Sequence, residues 1–341
     1  MVSIGHQVWG IRIFALKNNR YLVLFFLFSL VWQQLLPQNS LNISSKILKY
    51  HNLTNKSELA IVERNYKSAC KNYTKAFRLL PGFASDHYNA LIVAQKLAKK
   101  NNIVKKNLSY FYHRGICEDF FKQFYNSNTS KIAKTKSNIK INLLLAQKID
   151  SLFIEDQKVR ATKGNDRGLV RKIDSSNYVF FVGIVKEYGF PNENSLGVEC
   201  SLNKKGINLM KIRTLLKHFS LNREKGVDDI LNNALRDGEL KPEVYAELIS
   251  FINENYYNYC PIGTLGNDKY ILCDSIQTKE IVNVNRKKIG LYSIDEQVMK
   301  IKYKIENPDS LFRLTETLGV LKLDYYPEKY VEFVRKNCQK I

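Results

Sequence analysis

The chain is poor in the residues that mark unusual structural classes: 7 prolines and 16 glycines among 341 positions exclude a collagen-like or low-complexity polymer. Its six cysteines form no C-x-x-C pair, and no H-x-x-x-H or H-E-x-x-H spacing accompanies them, so no metal site is expected. Phosphate-cradling G-x-x-x-x-G-K, dinucleotide-binding G-x-G-x-x-G and nucleophile-elbow G-x-S-x-G patterns are also missing. Nucleotide chemistry and serine hydrolysis therefore have no visible machinery, and no cofactor is implied.

Acidic residues are absent from positions 1–57 and again from 122–149. The formal charge of +21 is consequently an N-terminal property, because residues 150–341 carry 30 basic against 27 acidic side chains. Such an excess attracts anionic polymers or lipid head groups, and it is equally what a chain crowded with Lys, Asn, Ile and Tyr presents as a solvated surface. Zinc-finger spacing, basic leucine-zipper heptads and RNP aromatics are lacking, so no specific nucleic-acid partner is expected.

The first 40 residues read as an address. Arg12, Lys17 and Arg20 precede an apolar run from Tyr21 to Trp32, with a helix breaker at Pro37. A positive leader before an apolar segment of this length is the form of a signal peptide or an uncleaved signal anchor. It predicts an exported chain, periplasmic or associated with the cell envelope, or anchored in the inner membrane if the segment is retained. The competing reading is a buried N-terminal helix. Outside the cytosol the cysteines are free to pair, but scattered thiols such as Cys70 are as readily core residues.

Residues 46–125 carry helical spacing. Tyr66, Ala69, Tyr73, Ala76 and Phe77 fall on one stripe, and Pro81 and Gly82 close it. Alternating small and aromatic residues suit close helix packing. The stripe resembles the second helix of a tetratricopeptide repeat, with a weaker copy that starts from Asp86 as a cap and contributes Tyr110 and Phe111. That resemblance implies a helical-repeat module with a protein or peptide partner, and Tyr110 and Tyr112 are the candidate partner-facing aromatics. Two copies bury too little alone, so the segment is expected to lean on the C-terminal part of the chain. Residues 126–140, rich in Ser, Thr, Asn and Lys, read as a linker.

Residues 141–305 read as a second, mostly helical domain. A stripe of Leu144, Leu145, Ile149, Leu152 and Phe153 opens it, and helices are expected over 174–188, 206–219 and 225–237, from Pro242, and over 278–303. A β-hairpin or an irregular loop is expected near Gly266–Asn267–Asp268. The fold class is thus mainly α, with at most a small β-hairpin. Residues 306–341 form a helical extension, its second helix starting near Pro327.

The order of short boxes in this domain resembles an uncharacterised bacterial family common in Bacteroidetes and often exported. Asp156, Gln157 and Arg160 match its DQ-x-x-R box, Gly189, Phe190 and Pro191 its G-W-P turn, and His218 the histidine of its Q-H-A box. Gly238 and Glu239, Gly263 and Thr264, and Arg286, Gly290 and Leu291 match the later boxes. The departures are Lys217, Ser250, Phe251, Ile262 and Leu265, mostly apolar where the family is polar. They imply that an activity resting on those positions is lost here.

The sequence supports two classes of function. The first is an exported or anchored interaction scaffold of the envelope, which the repeat segment implies. The second is an envelope hydrolase in which Asp156 orients His218 as general base, with Arg160 nearby. Each site residue has a plainer reading: Asp156–Arg160 as an i, i+4 ion pair, His218 as a hydrogen-bonded core residue, and Arg286 as a helix-end cation rather than an anion-binding group.

Overall fold

A computed structural model describes residues 41–97, 102–116, 120, 141–163, 166–200, 207–208, 210–252, 257, 262–265, 268–271, 279–314, 321–322, 328–337 and 339–340. The leader, the 126–140 linker and most cysteines lie outside them. The first four helices among the described residues are α1 (Ser45–Val62), α2 (Tyr66–Ala76), α3 (Ala84–Lys96) and α4 (Asn102–Tyr112). They are followed by α5 (Leu143–Lys163), α6 (Arg167–Tyr188), the single turn α7 (Glu193–Leu196), α8 (Met210–Leu221), α9 (Val227–Arg236) and α10 (Pro242–Ser250). The last three among the described residues are α11 (Lys279–Lys288), α12 (Ile294–Glu306) and α13 (Glu328–Asn337). The fold is mainly α. None of the described helices is long and apolar enough to cross a membrane.

Strand among the described residues is confined to short pieces. Glu199–Cys200 (β1) pairs antiparallel with Ile207–Asn208 (β2), and Ile262–Leu265 (β3) pairs antiparallel with Asp268–Ile271 (β4) as the expected hairpin. The C-terminal extension completes a four-stranded patch: Leu321–Lys322 (β5) adds parallel to β3, and Gln339–Lys340 (β6) adds antiparallel to β4.

Residues 41–341 form one compact unit. Its two large apolar cores are each assembled from distant parts of the chain. In one, Ile43 and Ile47 pack with Leu145, Phe181, Phe219, Leu231 and Leu291. In the other, Ala69 and Tyr73 of α2 pack with Leu91, Leu108 and Phe111, and with Tyr303 and Phe312 from far downstream. Helices α1–α4 thus lean on the later chain, and each large apolar side chain buried there contributes about 1.5–3 kcal/mol.

Some boundaries differ from the pattern-based expectation. The helix expected from Asp174 starts at Arg167 instead, because the Asp166 carboxylate accepts from Leu169 N at 2.9 Å and caps it. Its end at Gly189 (φ +78°) is as expected. The 278–303 segment is two helices. Gly290 adopts φ +77°, and Ser293 then opens α12 with a reciprocal capping box to Glu296. A Cβ at Gly290 would also lie 3.1 Å from His51 Cβ, so the break lets α1 approach. Asp86 does not cap: it lies within the first turn of α3, fully buried.

Candidate functional site

Three helices meet around one carboxylate. In α5, Asp156 sits on the inward face with Ile149, Leu152 and Val159, which forces its charge out of water. In α8, Leu215, Leu216 and Phe219 enter the core and carry the neighbouring His218 to the edge of the packed layer, where its side chain remains 15% exposed. His218 Nδ1 lies 2.7 Å from Asp156 Oδ1. An ionised carboxylate only accepts, so Nδ1–H is the donor in the neutral ring.

Asp156 has two further donors. Gln157 Nε2 donates to Oδ2 at 2.6 Å, and Arg160 Nη1 donates to Oδ1 at 2.8 Å. Burial alone would raise this carboxyl, but the bond and charge of His218, the Gln157 amide and the Arg160 cation outweigh it and hold its pKa below the usual value. The Arg160 guanidinium then forks onto Asp174 of α6, reaching Oδ1 at 2.9 Å and Oδ2 at 2.8 Å, and Asn222 Nδ2 donates to Asp174 at 3.0 Å. The i, i+4 pair is therefore one limb of a wider network that ties α5, α6 and α8 together.

Among the described residues, no hydrogen bond uses the far nitrogen of the ring, His218 Nε2, and that atom is not among the buried, unsatisfied ones. The combination is chemically specific: one nitrogen is fixed by a buried anion, and the other is left available to take a proton. Asp156, Asp174 and His218 also offer ligand atoms within 4.8 Å of one another, a set able to hold a divalent cation. The Arg160 guanidinium already spans the two carboxylates, and the Nδ1 that would bind metal faces Asp156. The positive charge this trio requires comes from the chain itself.

Sequence reasoning named Asp156, Arg160 and His218, and the structure brings them together. It missed Asp174, taken only as the first residue of an expected helix, and Asn222. The cue was the hairpin of α5 and α6, which sets Asp174 opposite Arg160. Two other candidates are corrected. Tyr110 is 7% exposed, its hydroxyl donates to Glu193 Oε2 at 2.7 Å, and its ring stacks on His87, so it is a core residue and not a partner-facing one. Arg286 is fully buried and donates to Tyr292 O at 2.7 Å, Tyr257 O at 3.2 Å and Gln297 Oε1 at 2.6 Å, which makes it an internal brace and neither a surface anion site nor a helix-end cation in solvent. Tyr112 remains at the surface at 39% exposure.

No protein-family model, curated protein or solved structure matches this chain. Its own geometry therefore carries the functional reading. Asp156, Gln157, Arg160 and His218 form one hydrogen-bonded group, and separately Asn192 donates to Glu239 at 2.9 Å. Lys217 lies 5.8 Å above the Phe251 ring.

Proposed function

We propose that the chain is an exported or envelope-anchored hydrolase of general-base type, with His218 as the base and Asp156 as the residue that orients it. The supporting observation is the 2.7 Å contact between His218 Nδ1 and a carboxylate that is completely buried and held ionised. In this reading a water at Nε2 loses its proton to the ring as it attacks the substrate, and Asp156 stabilises the imidazolium that forms. The proton then passes to the leaving group. Arg160, Gln157 and Asn222 fix the two carboxylates in place and do not touch the reacting atoms. Export rests on the leader alone.

The test is turnover by the purified full chain on chromogenic carboxylic esters, anilides and phosphodiesters. Turnover is expected on one class, with a fall of about 100-fold or more in His218→Asn and in Asp156→Asn, each assayed well below its own melting temperature, where the variant is folded. Turnover that survives His218→Asn, or none in any class, contradicts the assignment. A scaffold role keeps one supporting observation, the exposed apolar side chains Ile154, Val179 and Phe180 on α5 and α6, and absence of turnover together with capture of a defined partner would favour it.

A further inference from the structure

A second feature lies on the outer face of α6, away from the residues that the proposed hydrolysis uses. The helix buries Asp174, Asn177, Tyr178, Phe181 and Ile184. On its opposite side, Lys172, Ser176, Val179, Phe180, Gly183 and Glu187 recur at helical spacing and form one exposed stripe. Val179 and Phe180 at its centre are 70% and 65% exposed, and α5, packed alongside, adds the exposed Ile154. Contiguous apolar surface of this kind marks an interaction site. Gly183 is an independent observation. It sits within the helix, where glycine weakens the fold relative to any ordinary residue, and a Cβ built on it meets nothing within 4 Å. Packing inside the chain therefore does not require it, whereas a bare backbone permits the close approach of another helix.

The geometry points to a homodimer in which α6 packs antiparallel against α6 of a second copy. The order of residues along the stripe selects this occupant. About a twofold axis between positions 179 and 180, the stripe meets itself with Lys172 opposite Glu187, Ser176 opposite Gly183 and Val179 opposite Phe180. Opposite charges then close both ends, the small residues let the backbones approach, and the apolar pairs fill the middle. Glu187 holds Lys148 of its own chain at 3.1 Å and stays 57% exposed, so its carboxylate has acceptor capacity left for Lys172 of the other copy. A parallel arrangement would set lysine beside lysine and glutamate beside glutamate, which is repulsive. A lipid surface would gain nothing from Gly183 or from an acidic end at Glu187. Because the stripe faces away from Asp174, the pairing stands apart from the hydrolase reading.

Sedimentation velocity of the full chain over about 1 to 100 μM should show reversible association to twice the chain mass. Gly183→Leu strengthens the helix while placing a bulky group at the contact, so it should weaken association about tenfold or more with helical circular dichroism retained. Cross-linking reads the register. Under oxidation, a Ser176→Cys chain mixed with a Gly183→Cys chain should give a disulfide between those two peptides, identified by mass spectrometry. Ser176→Cys alone should not link position 176 to itself, because its two copies lie about 10 Å apart along the antiparallel pair. The proposal is overturned by a chain that stays monomeric at about 100 μM, by association that Gly183→Leu leaves unchanged, or by linkage of position 176 to itself in place of 183. Association seen only on added lipid vesicles would overturn it as well, and would assign the face to a membrane.

Discussion

The ammonium of Lys300 lies 2.6 Å from the carboxylate of Glu58, across 242 positions of sequence, and both side chains are almost wholly sealed from solvent. Lys300 also sits 3.5 Å above the Tyr292 ring. A companion contact joins Lys241 to Asp86 at 2.9 Å and to Ser85 at 2.8 Å, with the Tyr50 hydroxyl donating to the same aspartate. Burial would raise the Asp86 carboxyl, but Lys241 and Tyr50 outweigh it and hold its pKa down. The first four helices are thus fastened to the later chain by charges that neither part could leave unpaired.

Removing Lys300 leaves the Glu58 carboxyl, which burial already raises to a pKa of about 7, without its cation in a low-dielectric interior. Lys300→Met should cost about 3–5 kcal/mol in denaturant unfolding, whereas Lys300→Met with Glu58→Leu should recover much of that loss. A single variant as stable as the parent would contradict the burial of this pair.

The buried His51 gives the fold an acid-sensitive component. Burial is the main cause, with a smaller contribution from Lys241, and against the pull of Asp86 it brings the His51 pKa down to about 3 from the ordinary value of 6.5. Between those values the unfolded chain binds a proton that the folded chain refuses, so stability is complete above about pH 6.5 and declines as pH falls toward 3. The difference in unfolding free energy between the parent and His51→Gln should be flat above that window and shift against the parent by a few kcal/mol across it. A difference independent of pH would show that His51 is not held neutral.

Arg160 makes a separate prediction at the candidate site. Arg160→Ala leaves Asp156 and Asp174 facing each other without their cation, a loss toward the lower end of about 3–5 kcal/mol because the arginine is a quarter exposed. The vacated trio with His218 should then accept a divalent ion. Zinc at micromolar concentration should raise the melting temperature of the variant and leave that of the parent unchanged. Failure of zinc to stabilise the variant would mean that the carboxylates do not keep their positions.

Much of the helical framework was legible because it follows from periodicity. The stripe Ala69, Tyr73 and Ala76 is buried as its spacing demands, Gly189 ends a helix, and Pro242 opens one. What periodicity could not convey is which polar residue turns inward. Asp86 and Asp174 look like caps in sequence, yet each sits inside a helix and is neutralised by a cation far along the chain or across a hairpin. Tyr110 and Arg286 were misplaced for the same reason: their partners, Glu193 and the carbonyl of Tyr257, are tertiary neighbours that no local window contains. Asp156 with His218 was reached only by pairing a rare residue type with a carboxylate on another helix.

How His218 is held decides the functional reading, and nitrogen NMR of the imidazole in the full chain measures it directly. A protonated Nδ1 and a bare Nε2 are expected in the neutral ring, with the population moving toward protonated Nε2 in Asp156→Asn. A native ring protonated at Nε2, or a tautomer ratio indifferent to Asp156→Asn, would contradict the assignment of His218 as a base oriented by Asp156.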